Sequence, residues 1–570
     1  MLAQPTVISP DAAAQEGLRR EEARNRLQQQ QLQPRADVLR PTTRQLRDQN
    51  FPLEEPCFTV REVRIEGDAA PRFGWLSANA QAFVGRCAGV QGLSRIAGSL
   101  DEELLSRGFA TTRVSLPAQN LQSGVLRVRL HAGRVAAIRM VDATQPTPAG
   151  IASGARPPIE HWQADTRWGT WRNAFSLAPG DILNIRDLEQ GVEQMNRLPS
   201  QSVNTQLEPG EAPDTSVVII QRRAGLTERV RGTATVDNSG GSALGRAQFS
   251  GNLAVDNPLG LNDVLSANLA SNLQDASASH RSQSLGLNYS VPWGYNTFSL
   301  SASHSRFAQS VQGTTVRFLS SGQSDSAEAR LARTVLRTSS AKLGFYGGVS
   351  LRRAQSYIDD VELIVQRRRT TNAEVGFNYR QLFERSSLDL DLGYRRGVPW
   401  RNAQEDLPDA QAGGATLRPR IATFSASYGS AFSLAGRQMQ YNGTLRGQYT
   451  RDTTLSIDQL SIGGRHTVRG FTGDVVLLAE KGLVWRNDLS WPVSMGQGID
   501  AQAVLGLDWG RVWGPSDVLL AGHQLAGAAL GLRGRARGLY FDVSLATPLH
   551  RPDNFRAKRL VAYASVTYPF

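Results

Sequence analysis

From about Ala224 to the last residue, apolar and polar side chains alternate in runs of roughly ten, separated by Gly, Asn, Asp, Ser and Pro. Ala247, Phe249, Gly251, Leu253 and Val255 alternate with Arg246, Gln248, Ser250, Asn252 and Ala254. Leu388, Leu390, Leu392 and Tyr394 alternate with Asp389, Asp391, Gly393 and Arg395, and Met439, Tyr441, Leu445 and Tyr449 with Gln440, Asn442, Thr444, Arg446 and Gln448. Strands of a soluble sandwich average about five or six residues; strands that cross a bilayer obliquely need about ten, apolar toward lipid and polar toward a wet lumen. About sixteen such segments are expected, ending with Leu560–Phe570. An even number returns the C-terminus to the side on which the N-terminal part of the chain stands.

The first part of the chain has a different rhythm. Residues 10–33 are rich in Ala, Glu, Arg, Gln and Leu, with no internal Pro and a single Gly at 17, Asp11 as a plausible N-cap and Pro34 as a stop. Leu18, Leu27 and Leu32 make no broad apolar stripe, so this helix is expected to be solvated or to sit in a polar channel. Residues 34–55, rich in Pro, Arg, Thr and Gln, read as a linker. A β-α-α-β-β order follows: a strand over Phe58–Ile65, helices around Ala78–Val84 and Leu93–Ser106 with Gly108 as C-cap, and strands Thr112–Leu116 and Val125–Ala132. The order recurs with a strand over Arg134–Val141, an irregular or helical stretch over Trp162–Asn173 and a helix over Asp181–Leu198. Strands Val203–Leu207 and Ser216–Arg222 close it, so the two units form an internal repeat. The expected divisions are 1–33, 34–55, 56–133, 134–224 and 225–570.

Composition narrows the class. The mean hydropathy is −0.32, and no run of about eighteen apolar residues occurs, which excludes a transmembrane helix and leaves a β-barrel open. The net charge of +12 and pI near 10.1 first suggest nucleic acid, but the arginines are scattered along strands and turns, so no nucleic acid is expected. Met1-Leu2-Ala3-Gln4 lacks the basic segment and apolar core of a signal peptide and is read as the scar of a removed one behind an added Met. Cys57 and Cys87 are the only cysteines, without His or Cys companions at metal spacing. They read as a disulfide of an oxidising compartment, with two unrelated buried thiols as the alternative. No metal or cofactor is expected, and no Ser, His and Asp set converges as an enzyme needs. His466 is read as a loop residue.

Three stretches carry a resemblance. Val236-Asp237-Asn238-Ser239-Gly240 followed by residues 256–263 is similar to an opening barrel hairpin, and Leu104–Arg113 to a first POTRA domain. Gly463-Gly464-Arg465-His466-Thr467-Val468-Arg469-Gly470-Phe471 contains a Val-Arg-Gly-Phe/Tyr signature. Together they resemble the two-partner secretion transporters of the ShlB, FhaC and CdiB kind, within the BamA-like superfamily, and the Cys57–Cys87 pair resembles the ShlB and CdiB branch. The resemblance implies an antiparallel transmembrane barrel in the bacterial outer membrane, two periplasmic POTRA domains and an N-terminal helix that plugs the lumen. Its implied partners are a large exoprotein captured through its N-terminal secretion domain, the lipid bilayer, and the barrel-assembly machinery, which reads the terminal aromatic strand. A BamA- or TamA-like assembly factor is the alternative, though such proteins carry more POTRA domains.

The resemblance further implies that Val468, Arg469, Gly470 and Phe471 lie on a loop folded into the barrel, with Arg469 pairing a carboxylate on a later strand. Asp508 fills that place, and parity agrees: Leu505, Leu507 and Trp509 are expected to face lipid, so Asp508 faces inward. A forked Arg–carboxylate pair fixes geometry as well as charge. Two further expectations concern the surroundings. Gly506, where the family often has an aromatic, should leave the anchor less tightly packed, and a wet lumen should keep the stability cost of breaking the pair modest. Pro569, which cannot donate a ladder hydrogen bond, should leave the last two residues frayed or at an edge.

Overall fold

The computed structural model describes residues 51–142 and 169–570, apart from 226, 243, 274–276, 278, 313–315 and 497. The helix expected over 10–33, most of the linker and the Trp162–Trp168 part of the second repeat lie outside the described residues.

The first repeat contains β1 (Phe58–Thr59), β2 (Glu62–Glu66), α1 (Gly74–Ala80), β3 (Cys87–Ala88), α2 (Val90–Ser106), β4 (Arg113–Ser115) and β5 (Val125–His131). Alternation in β5 turns Leu126, Val128 and Leu130 onto one face, where they bury against Ile96, Leu100 and Leu104, spaced by four along α2. β2 runs parallel to β5, and β4 antiparallel to it. Cys57 and Cys87 form a disulfide with Cα atoms 5.4 Å apart, beside the β1–β3 pairing.

The second repeat places β6 (Arg134–Asp142), α3 (Ile185–Asn196), β7 (Gln201–Pro209) and β8 (Thr215–Ala224) in the same topology, with β6 parallel and β7 antiparallel to β8. Asn184 joins the two repeats. Its Oδ1 caps α3 by accepting from Arg186 N at 2.8 Å, and its Nδ2 donates to Arg107 O, just past α2, at 3.1 Å.

From Val230 the chain forms a closed antiparallel barrel of sixteen long strands, with the two-residue Val361–Glu362 piece at one rim. Strand lengths run from 8 residues (Val230–Asp237) to 21 (Arg317–Arg337), enough to span and, on one side, to project beyond a bilayer. Leu285, Leu287, Phe298, Leu300, Leu331 and Phe345 are exposed on the outer face, where lipid is their solvent.

Closure occurs between the first and last strands, over Ser565↔Asp237 to Pro569↔Thr233. The end of the chain does not fray: Phe570 N donates to Gly232 O at 3.0 Å, and Gly232 N to Phe570 O at 2.8 Å. Pro569 costs no ladder bond because its nitrogen turns toward the Leu539–His550 strand, whose ladder has already ended at Tyr540↔Thr567.

Candidate functional site

The strands Lys481–Ser494 and Ile499–Trp513 pair in register, Arg486 opposite Asp508 and Asp488 opposite Gly506. Leu505 and Leu507 are exposed on the outer face, while Gly506, Asp508 and Gly510 share the lumenal one, as alternation requires. Between Tyr449 and Lys481 a long loop folds inward against this wall. A short hairpin, Leu460–Ile462 with Leu477–Ala479, braces its base.

At the loop's tip the Arg469 guanidinium forks onto Asp508, Nε to Oδ2 and Nη2 to Oδ1, both at 2.7 Å, and the Arg469 backbone N–H donates to Oδ2 at 3.0 Å. Asp508 thus accepts three bonds from one residue. Two partners not foreseen from the sequence complete the cage: Asp488 Oδ1, 2.7 Å from Arg469 Nη1, and Asn487 O, which accepts from Nη2 at 3.2 Å. Asp488 lies on the strand before Asp508, at the lumenal parity that Arg486 also occupies, and this was the signal available for it.

The anchor is dry. The side chain of Asp508 is 0% exposed and that of Arg469 9%, against the modest cost expected from a wet lumen. The reason is the apolar cover. Val468 and Phe471 flank Arg469 and pack with Ile462, Leu477, Ala479, Val484, Val512, Leu525 and Phe555 in one buried cluster. Phe471 meets Phe555 edge-on at 5.6 Å between centroids, and Tyr563 Oη donates to Phe471 O at 2.6 Å. Breaking one side of a pair buried like this costs about 3–5 kcal/mol rather than the smaller amount of an exposed one.

Gly506 also differs from expectation: it tightens the anchor. A Cβ there would lie 2.3–2.6 Å from three atoms of the Arg469 guanidinium, so the side chain's absence is the slot in which the guanidinium lies. On the next strand a Cβ at Gly527 would lie 1.8 Å from Arg469 O. Gly470 has φ +99°, a left-handed turn that lets the loop reverse against Thr547. The loop tip is held on its other side by Arg446 Nη2 to His466 O at 3.0 Å and Arg486 Nη1 to Arg465 O at 3.1 Å. His466 contributes its carbonyl to that bracing. A fork sealed under apolar cover fixes where the loop lies against the barrel wall.

Comparison with known proteins agrees with this architecture. The family described as haemolysin secretion/activation protein ShlB/FhaC/HecB matches residues 214–534, a ShlB-type POTRA domain matches 58–133, and a further POTRA domain matches 158–209. The outer membrane transporter CdiB-2 of Burkholderia pseudomallei (strain 1026b) is 34% identical over 555 residues, covering 94% of this chain and 90% of its own. The hemolysin transporter protein ShlB of Serratia marcescens is 25% identical over 465 residues, covering 81% and 77%. The solved structure of CdiB from Escherichia coli superposes with a TM-score of 0.81 at 27% identity, over 100% of both chains. With more than half of its length inside the family match and a full-length relative at 34% identity, the chain belongs to the ShlB/FhaC/HecB haemolysin secretion/activation family.

Proposed function

We propose that this chain is the outer-membrane pore of a two-partner secretion system and carries a large exoprotein from the periplasm to the cell surface. The barrel stands in the outer membrane and the POTRA domains in the periplasm. The observation that carries the mechanism is the loop folded into a closed barrel and pinned by the buried Arg469–Asp508 fork. A pore through which an unfolded chain slides needs a lumenal element of fixed register, and the fork supplies one.

In this reading the domains are a plug helix over 1–33, a linker over 34–55, POTRA domains over 56–133 and 134–224, and the barrel over 225–570. The exoprotein's N-terminal secretion domain adds a strand to an open POTRA sheet edge; β2, β4, β6 and β7 are the edges of the two sheets. The cargo is an adhesin, a haemolysin or a contact-dependent toxin. The terminal strand, ending in Tyr568 and Phe570, is the segment by which the barrel-assembly machinery recognises the chain.

The test is co-expression of the full chain with an exoprotein encoded beside it, in a host lacking both. Export of the exoprotein only when the chain is present supports the reading. No export, together with a drop in other outer-membrane barrels when the chain is removed from its native host, would support an assembly factor instead.

A further inference from the structure

The second POTRA domain meets successive turns along the barrel's periplasmic rim, and Gly294 links them: its N–H donates to Asn173 O at 2.7 Å and its O accepts from Gln194 Nε2 at 3.0 Å. The first turn, 257–263, follows the strand paired with Val230. There Thr170 N donates to Gly260 O at 3.0 Å, Asn173 Nδ2 to Pro292 O at 3.0 Å, and Asn262 Nδ2 to Thr170 O at 2.6 Å. Asn262 and Asp263 in this turn are 0% exposed. The next turns along the same rim, after Trp293 and Arg337, meet α3. Gln194 Nε2 donates to Gly294 O at 3.0 Å and Tyr295 Oη to Asp187 Oδ1 at 2.5 Å. Glu193 sits between two cations: Arg337 Nη1 is 2.5 Å from Oε2, and Lys342 Nζ bonds Oε1. Arg337 also donates to Gln190 Oε1 at 3.0 Å, and its side chain is 1% exposed.

Above α3 the lumen holds a cavity of about 520 Å³, floored by Gln190, Glu193 and Gln194 of α3 and by Arg197 just past its end. Amides and hydroxyls such as Asn288, Ser301, Asn378 and Ser427 line much of its walls. Such groups can donate to and accept from the backbone of an extended polypeptide, which is the chemistry of a passing chain rather than of a folded ligand.

The contact along α3 is built from an ion cluster and hydrogen bonds, whose groups can exchange their partners for water when they part. A buried ion cluster is a weak source of stability but a strong source of register.

We infer that the exoprotein enters the lumen through the cavity above α3, and that the Glu193–Arg337–Lys342 cluster is a latch that must part to admit it, α3 lifting away from the rim. The inference rests on the secretion reading above. It assigns to the second POTRA domain a purpose beyond presenting a sheet edge: through α3 it closes the mouth at rest.

The test uses the full chain carrying Gln194→Cys and Thr297→Cys, whose native side chains meet at 3.4 Å between Nε2 and Oγ1. A bifunctional thiol reagent with a short, reducible spacer joins α3 to the barrel, since the reach of the Gln194 side chain leaves the backbones too far apart for a direct disulfide. The expected result is a drop of at least about tenfold in exported exoprotein, while the secretion domain still binds the periplasmic face and the barrel keeps its heat-modifiable migration. Reductant should restore export, and the native chain treated identically shows what reductant alone does. Undiminished export by a fully cross-linked chain would overturn the latch while leaving the secretion reading intact. Absence of export from the unmodified chain would remove the secretion reading, and the latch with it.

Discussion

Gly506→Ala tests whether the anchor depends on the slot described above. The added methyl carbon would start 2.3 Å from Arg469 Nη2 and 2.4 Å from Cζ. Carbon in ordinary contact keeps about 3.5–4.0 Å, so the guanidinium must retreat by roughly 1 Å or more. A long side chain normally yields to such an intrusion at little cost. Here it is held by Asp508 on one edge, Asp488 on another and Asn487 O on a third, so retreat breaks the fork. Overpacking of this kind costs about 1–3 kcal/mol. With roughly 1.4 kcal/mol per factor of ten, local opening of the loop rises about 5- to 150-fold. Hydrogen exchange read by mass spectrometry on peptides spanning 463–480 measures that opening directly. Gly98→Ala is the control, since a Cβ at Gly98 in α2 meets nothing within 4 Å, and it should leave loop exchange unchanged. Equal protection of the loop in Gly506→Ala and in the parent would refute the slot argument, whatever happened to secretion.

Two further predictions concern the periplasmic part. Closing a loop with a sequence separation of 30 contributes about 3.5 kcal/mol by the chain-entropy relation, so Cys57→Ser should make the first POTRA domain markedly more sensitive to protease and urea, while the untreated parent shows no alkylatable thiol. Burial opposes ionisation of Glu193, but the facing Lys342 and Arg337 outweigh it and hold its carboxyl below the usual range. A depressed folded-state pKa gives stability that is present above the ordinary Glu value and lost as pH falls through the depressed one. The distance between spin labels on α3 and on the barrel rim, read by pulsed electron resonance on samples frozen at each pH, should therefore be unchanged between pH 7 and pH 5 and lengthen only at lower pH; a lengthening between 7 and 5 would contradict it.

The barrel was legible because alternation is local: each strand declares its two faces without reference to its neighbours. The repeat was legible for the same reason, α2 and α3 lying within a few residues of the spans that periodicity and Gly108 suggested. Arg469 and Asp508 came from a resemblance, with strand parity as an independent check. What the sequence did not yield were quantities that depend on closure in three dimensions. Dryness at Asp508 comes from apolar residues such as Phe555, almost fifty positions away, folding over it. Gly506 looked like a packing defect along the chain, and only the facing guanidinium makes it a slot. Nothing along the chain singles out Glu193, because its partners Arg337 and Lys342 lie 144 and 149 residues later. Of the two expectations for Pro569, the frayed end fails because Phe570 pairs with Gly232, while the edge position holds because no strand is paired beside its nitrogen.

The central claim, that the Arg469–Asp508 fork holds the loop in the secretion path, is tested most directly by a double-mutant cycle on exported exoprotein. Arg469→Ala and Asp508→Ala are each expected to assemble a heat-modifiable barrel whose loop is undocked, because each strands its partner in a site that excludes water, a loss of about 3–5 kcal/mol. Export should fall sharply and to a similar level in both, and the double mutant should export little less than either, as residues acting through one contact do. Arg469→Lys should also fail, since an ammonium cannot reproduce the fork. Normal export by Arg469→Ala in an assembled barrel, or strictly additive defects in the double mutant, would contradict the account.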